Sequence, residues 1–206
     1  LARSADDLKL ALSIMSGPAE REALGWSLNL PAADITTLKD FRVAVWATDP
    51  LAPVAKEVED RSMQVGAMLE RLGAQVSYDA RPNFDLDAAV RNYQTLLQSV
   101  MTAAWDNQAV AKMQTKVAAL EPNDLSLDAV NARAAVLSHR DWIRSNGRRE
   151  KLRRAWADFF KDWDILICPQ MATAAFSHDH RPFSERSLSV DNEPQPYFQQ
   201  LMWAGM

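Results

Sequence analysis

Between Phe41 and Tyr78 the hydrophobic period changes twice, and this stretch limits the available folds more than any other. Phe41-Arg42-Val43-Ala44-Val45-Trp46 is rich in β-formers and reads as a strand. Asp49-Pro50 and Pro53 mark a turn and a helix start. Val54, Val58, Val65, Met68, Leu69 and Leu72 then fall on one helical face, with Gly73 placed as the C-cap. Gln75-Val76-Ser77-Tyr78 is a second strand. A strand, a helix and a strand so closely spaced form a βαβ unit over residues 41–79, with the two strands expected to run parallel through a right-handed crossover. The fold class expected is therefore α/β.

The flanking segments fit that class. Ser4 and Asp7 predict a capped helix start, and Leu8, Ala11, Leu12 and Met15 recur at helical spacing until Gly17-Pro18. Residues 19–40 have no sustained period and read as a connection. The second half is mainly helical. Leu86, Val90, Tyr93, Leu96, Leu97 and Val100 share a face, and Glu121-Pro122-Asn123-Asp124 is a loop before a cap at Ser126. Leu127, Val130, Ala134 and Leu137 begin one long helical region that ends in the stripe Leu152, Trp156, Phe159, Phe160 and Trp163. Asp164-Ile165-Leu166-Ile167-Cys168, closed by Pro169, has the pattern of a strand buried on both faces. Residues 170–196 hold several prolines and read as a long irregular loop. There is no internal repeat and no low-complexity tract.

Charge and cysteine content narrow the function classes. Among 206 residues, 23 Lys and Arg face 27 Asp and Glu, a net charge of −4 with no general pull toward nucleic acid or an anionic membrane. No apolar run approaches the roughly 20 residues of a membrane span. The single cysteine, Cys168, excludes an internal disulfide framework and fits a reducing, cytoplasmic compartment. The chain starts at Leu1 without the features of a signal peptide and stops on the apolar Leu201-Met202-Trp203-Ala204-Gly205-Met206. A piece of a longer protein is the expectation, with a processed chain carrying a buried tail as the alternative.

The residues offer little chemistry of their own. Six scattered glycines give neither a P-loop nor a dinucleotide fingerprint, so the βαβ unit reads as scaffold. His178-Asp179-His180 could share a metal, but His139 sits on a predicted helix and Cys168 precedes a proline, so a solvated loop is favoured and no metal is expected. There is no Gly-x-Ser-x-Gly elbow. Lys9 and Ser13 read as a solvated helix face, and Cys168 as an inert thiol. Arg140, Arg144, Arg148, Arg149, Lys151, Arg153 and Arg154 form the strongest charge cluster, but Asp141 and Glu150 interrupt it, so it too reads as a solvated face.

Leu1-Ala2-Arg3-Ser4-Ala5-Asp6-Asp7-Leu8 resembles a segment of the amidase signature family, in which Leu/Met-Ala-Arg-Ser-x-x-Asp-Leu follows the catalytic core. The strand at Phe41–Trp46 and the Leu72-Gly73-Ala74-Gln75-Val76 join resemble the next family segment. Asp162-Trp163-Asp164-Ile165-Leu166-Ile167-Cys168-Pro169 resembles the late Asp-x-Leu-hydrophobic-x-Pro strand, and Ala175-Phe176 the loop after it. Trp203-Ala204-Gly205-Met206 resembles the start of the final strand-and-loop region, so the order holds over essentially the whole chain.

The resemblance implies a mixed, mostly parallel sheet flanked by helices, with residues 1–206 as the C-terminal portion of the domain. It implies hydrolysis of a carboxylic amide by a Ser-Ser-Lys triad through an acyl-enzyme, with a neutral lysine as base. In the family the lysine and both serines precede the Ala-Arg-Ser motif. No position here inherits a catalytic role, and inactivity of the isolated chain is expected. The loop after Pro169 would supply the substrate wall, through Gln170, Met171, Thr173 and Phe176, together with Trp203. The partner implied is a small-molecule amide, with no cofactor, nucleic acid or membrane, and a homodimer is left open. The rival reading is a non-catalytic α/β binding or scaffold module.

Overall fold

The computed structural model describes residues 2–31, 35, 37–182, 185–198 and 202–205, with Ala204 given by its backbone alone. The chain divides at Thr36–Thr37 into two units. In the first, α1 spans Ala5–Met15. The Ser4 hydroxyl accepts from the Asp7 N–H at 3.1 Å, and Asp6 and Asp7 favour the positive end of the helix. Its large apolar residues are uncovered: Leu8, Leu10, Leu12, Ile14 and Met15 are 53–83% exposed, while Ala11 is half-buried.

The second unit is built on a three-stranded sheet of β1 (Arg42–Val45), β2 (Gln75–Ser77) and β3 (Ile165–Ile167), in the order β2-β1-β3 with both pairings parallel. Central β1 holds the most deeply buried residues, Val43, Ala44 and Val45, at 0–1% exposure. Helix α2 (Lys56–Arg71) connects β1 to β2. It ends in a Schellman arrangement, where Gly73 N–H donates to the Glu70 carbonyl and Ala74 N–H to that of Leu69. Gly73 holds φ +96°, which is why glycine stands there. The buried face of α2 runs through Ser62 and Gly66, while Met68 and Leu72, expected on it, are exposed. Gly66 explains the rotation. A Cβ there would come within 3.0 Å of Tyr78 and Val45, so its absence lets the helix approach the sheet closely.

Helices α3 (Leu86–Met101), α4 (Asn107–Ala118), α5 (Leu127–Ala135) and α6 (His139–Asp162) form the helical layer, in which α3 packs on both α5 and α6. The long helical region expected from Leu127 is two helices. Ser138 interrupts it: its hydroxyl donates to the Asp141 carboxylate at 2.6 Å and accepts from the Asp141 N–H at 3.1 Å, starting α6 afresh. Strand β3, expected to be buried on both faces, is half-buried along its length, and among the described residues it pairs on one edge only.

The expected irregular loop over 170–196 contains a hairpin of β4 (Ser187–Val190) and β5 (Glu193–Pro196). Asp191 and Asn192 take φ 51° and 70°, the pair of left-handed residues that a type I′ turn requires. Pro194 and Pro196 are tolerated because, among the described residues, β5 has one strand partner and needs no amide on its other side. Leu188 and Val190 point into the core with Trp46, Ala52, Val54, Ala55, Ala172 and Trp203. By strand alternation Val43 and Val45 lie on the opposite face of β1 from Trp46, in a second cluster with Ala47 and Ala74.

The hairpin also caps α2. Ala55 offers no side-chain acceptor, and Asp191 supplies one from outside, with its carboxylate oxygens 3.0 and 3.1 Å from the Lys56 nitrogen. Asp191→Gly, which keeps the turn but removes the cap, is expected to cost about 1 kcal/mol. Asp191→Ala is expected to cost more, because alanine is strained at positive φ. Chemical denaturation of the two variants checks the order.

Candidate functional site

The carboxyl ends of β1 and β3 lie side by side, with Trp46 N–H donating to the Ile167 carbonyl at 2.8 Å. The loops that leave them are joined where Ala55 N–H donates to the Ala172 carbonyl at 2.7 Å. This is the end of an α/β sheet where ligands gather. Trp46 organises it. Its ring meets Trp203 edge to face at 5.6 Å, and the Arg81 guanidinium lies 4.9 Å over its face. Arg81 Nη1 donates to the carbonyls of Val45 (3.2 Å) and Ala80 (2.8 Å). Burial lowers the Arg81 pKa, against the opposing pull of Asp49 and Asp79. Asp49 accepts from the Trp46 indole at 3.2 Å and from the Leu51 N–H at 2.9 Å, which fixes the turn after β1.

Beside β3 runs a groove of about 540 Å³, walled by Trp156, Phe160, Ile165, Leu166, Cys168 and Trp203, with Asp164 at one end. It is an apolar trough along the edge of β3. Burial pushes the Cys168 thiol up, so it stays protonated at neutral pH and is a poor nucleophile.

The residues expected to wall a substrate pocket are dispersed. Trp203 lines the groove but is also core: it is 5% exposed, and its indole N–H donates to the buried Ala52 carbonyl at 3.0 Å. Gln170, Met171, Thr173 and Phe176 are not among the residues lining that groove. Gln170 is exposed, Met171 and Thr173 are half-buried, and the Thr173 hydroxyl donates to the Ala174 carbonyl at 2.9 Å. Phe176 is exposed and meets Tyr197 edge to face at 6.1 Å. The sequence shows Trp156 and Phe160 as part of an apolar helical stripe and Leu166 as part of a strand expected to be buried on both faces, and neither pattern reveals the groove. An apolar stripe reads alike whether it is covered or open.

The His178 and His180 rings lie 6.0 Å apart. Asp179 between them is committed to Arg181, whose guanidinium and N–H hold its carboxyl down to about 2. Among the described residues no group of three or more His, Cys, Asp or Glu is placed to hold a metal ion. Ser13, on α1, donates to the Leu10 carbonyl at 2.7 Å. In the basic cluster Arg144 pairs with Asp141, and Arg149 and Arg153 with Glu150, as a solvated helix face does. Arg148 is different: its bonds go to Asn92 and Ser145. No described helix is long and apolar enough to cross a membrane.

Compared with known proteins, residues 1–195 match a family model described as Amidase. No curated protein matches the chain.

Proposed function

The chain belongs to the amidase family, and from that membership we propose that it is the C-terminal portion of an amidase signature hydrolase whose catalytic residues lie in a preceding segment. The family places it among hydrolases of carboxylic amide C–N bonds, on an α/β fold with a parallel sheet flanked by helices. The observation that carries the finer reading is the edge of β3. This strand pairs on one side only among the described residues, and an apolar groove runs beside it, where a further part of a larger sheet would fit. The uncovered apolar residues of α1 support the same reading.

In this proposal the preceding segment supplies two serines and a lysine. The lysine, neutral because burial lowers its pKa, takes the nucleophile's proton through the bridging serine. The acyl-enzyme then forms and is hydrolysed to the acid, with ammonia or an amine released. This chain contributes scaffold and pocket wall. Gln170, Met171, Thr173, Phe176 and Trp203 remain the proposed substrate-facing residues, and a small amide in the cytoplasm the proposed substrate, with a homodimer as the proposed assembly.

A serine-directed fluorophosphonate tests this. The 206-residue chain is expected to show no labelled serine and no release of ammonia from simple amides. The chain extended upstream by its own reading frame is expected to label at one serine, outside residues 1–206. Stoichiometric labelling within residues 1–206 would overturn the proposal. So would an extended chain that carries no reactive serine, which would favour a binding or scaffold module.

A further inference from the structure

Between α3, α5 and α6 lies a hollow of about 450 Å³ far richer in arginine than its surroundings require. Arg91, Arg133, Arg144 and Arg148 line it, and Asp141 is the one carboxylate among the lining residues. Three of the four are already occupied. Arg91 pairs with Asp87, and Arg144 with Asp141. Arg133 donates to the carbonyls of Glu121, Pro122 and Asp124, which ties the loop before α5 to that helix.

Arg148 has no carboxylate partner among the described residues, yet it is held firmly. Its Nε donates to Asn92 Oδ1 at 3.0 Å and its Nη2 to Ser145 Oγ at 2.7 Å. Both supports are themselves buried, Asn92 at 6% exposure and Ser145 at 0%. Asn92 is fixed in turn, since its amide donates to the Ser145 carbonyl at 3.1 Å. Two neutral, buried groups thus orient an exposed guanidinium that pairs with no carboxylate among the described residues. A planar donor fork fixed in advance loses little freedom on meeting a carboxylate.

Apart from Thr95, the rest of the lining is apolar. Leu125, Val130, Ala134 and Leu137 share the hollow with the arginines. Arg91, Leu125 and Val130 also line a second hollow of about 180 Å³, which continues past Val90 and Leu127 to Met202; its polar lining is Gln94 and Asp87, the carboxylate already paired with Arg91. A charged end therefore opens onto an apolar extension. We propose that this pair of hollows binds an apolar carboxylate, with its carboxyl group on Arg148 and its hydrocarbon body over Leu125 and Val130. Inorganic phosphate suits it less well, because an anion without a hydrocarbon body leaves the apolar lining unfilled. Nothing in this inference depends on the hydrolase reading.

Titration calorimetry of the 206-residue chain with 4-phenylbutyrate tests it, with 4-phenylbutanamide and inorganic phosphate as controls. Saturable one-site binding is expected, weaker by about tenfold or more for the amide, which lacks the charge. Arg148→Gln is expected to weaken the acid by a similar factor and to leave the amide unchanged. Should Arg148→Gln fail to fold, Leu125→Asp serves the same end. Leu125 is 61% exposed, so the fold tolerates a new carboxylate there, which repels the ligand's own. Equal affinity for acid and amide would overturn the proposal. So would the absence of saturation, phosphate binding as tight as that of the acid, or a folded variant that binds the acid like the parent.

Discussion

Replacing Trp203 by alanine is expected to destabilise the unit from Thr37 onward by about 3–5 kcal/mol, the range for a buried large aromatic side chain. The indole is 5% exposed, meets Trp46 edge to face at 5.6 Å, and packs in a cluster with Leu188, Val190 and Ala172. The loss would leave a cavity where the β4–β5 hairpin, the turn after β1 and the loop after β3 converge. It would also remove the donor to the Ala52 carbonyl, bonded at 3.0 Å. Trp203→Phe isolates that second loss. It keeps most of the ring volume, and the orphaned carbonyl alone is expected to cost about 1–3 kcal/mol. Urea unfolding followed by circular dichroism measures both. The pair also bears on Trp203 as a proposed pocket residue. A direct substrate contact would make Trp203→Phe raise KM in the restored enzyme by more than its small stability loss explains. A purely structural tryptophan would leave KM unchanged at temperatures where the protein is folded.

The parts of this architecture that sequence reveals are those whose signals are local. The β1–α2–β2 path is visible because the hydrophobic period changes at Asp49-Pro50 and again at Gly73, where one residue closes a Schellman turn. The caps at Ser4 and Ser126 are visible for the same reason. The break at Ser138 is harder to see. Leu137 continues the apolar period from Leu127, and only the Ser138–Asp141 spacing betrays a new start. The hairpin is masked by Pro194 and Pro196, which argue against a strand unless the strand is already known to lie at an edge. The groove beside β3 is masked in the opposite sense, since Trp156, Phe160 and Leu166 have the composition of a core. The Arg148 site depends on Asn92, 56 residues away, a contact that no local pattern encodes.

Asp164→Asn is expected to remove most of the acid sensitivity that one ion pair imparts to the sheet, and to lower Tm at neutral pH by on the order of 5 °C. Asp164 stands at the head of β3, and Arg42 begins β1. The two residues exchange backbone and side-chain bonds: Asp164 N–H donates to the Arg42 carbonyl at 2.9 Å, and Arg42 N–H to Asp164 Oδ2 at 2.8 Å. The guanidinium adds Nη2 to Oδ1 at 2.7 Å and Nε to Oδ2 at 3.1 Å, a fork-on-fork pair that sets the register of β3 against β1. The Arg42 guanidinium, and then its N–H, hold the Asp164 carboxyl below the usual carboxylate range, more than offsetting desolvation. The unfolded chain therefore binds the proton more readily than the folded one. The stabilisation is complete about a unit above the unfolded carboxyl's pKa of about 4, begins to fall below that, and disappears as pH drops through the lower folded value. Asparagine keeps an acceptor for the Arg42 N–H but carries no charge to titrate. The difference in Tm between parent and Asp164→Asn should then be constant from pH 7 to about 5 and shrink below it. A difference that stayed constant down to pH 2 would show that Asp164 does not stabilise the sheet through its charge.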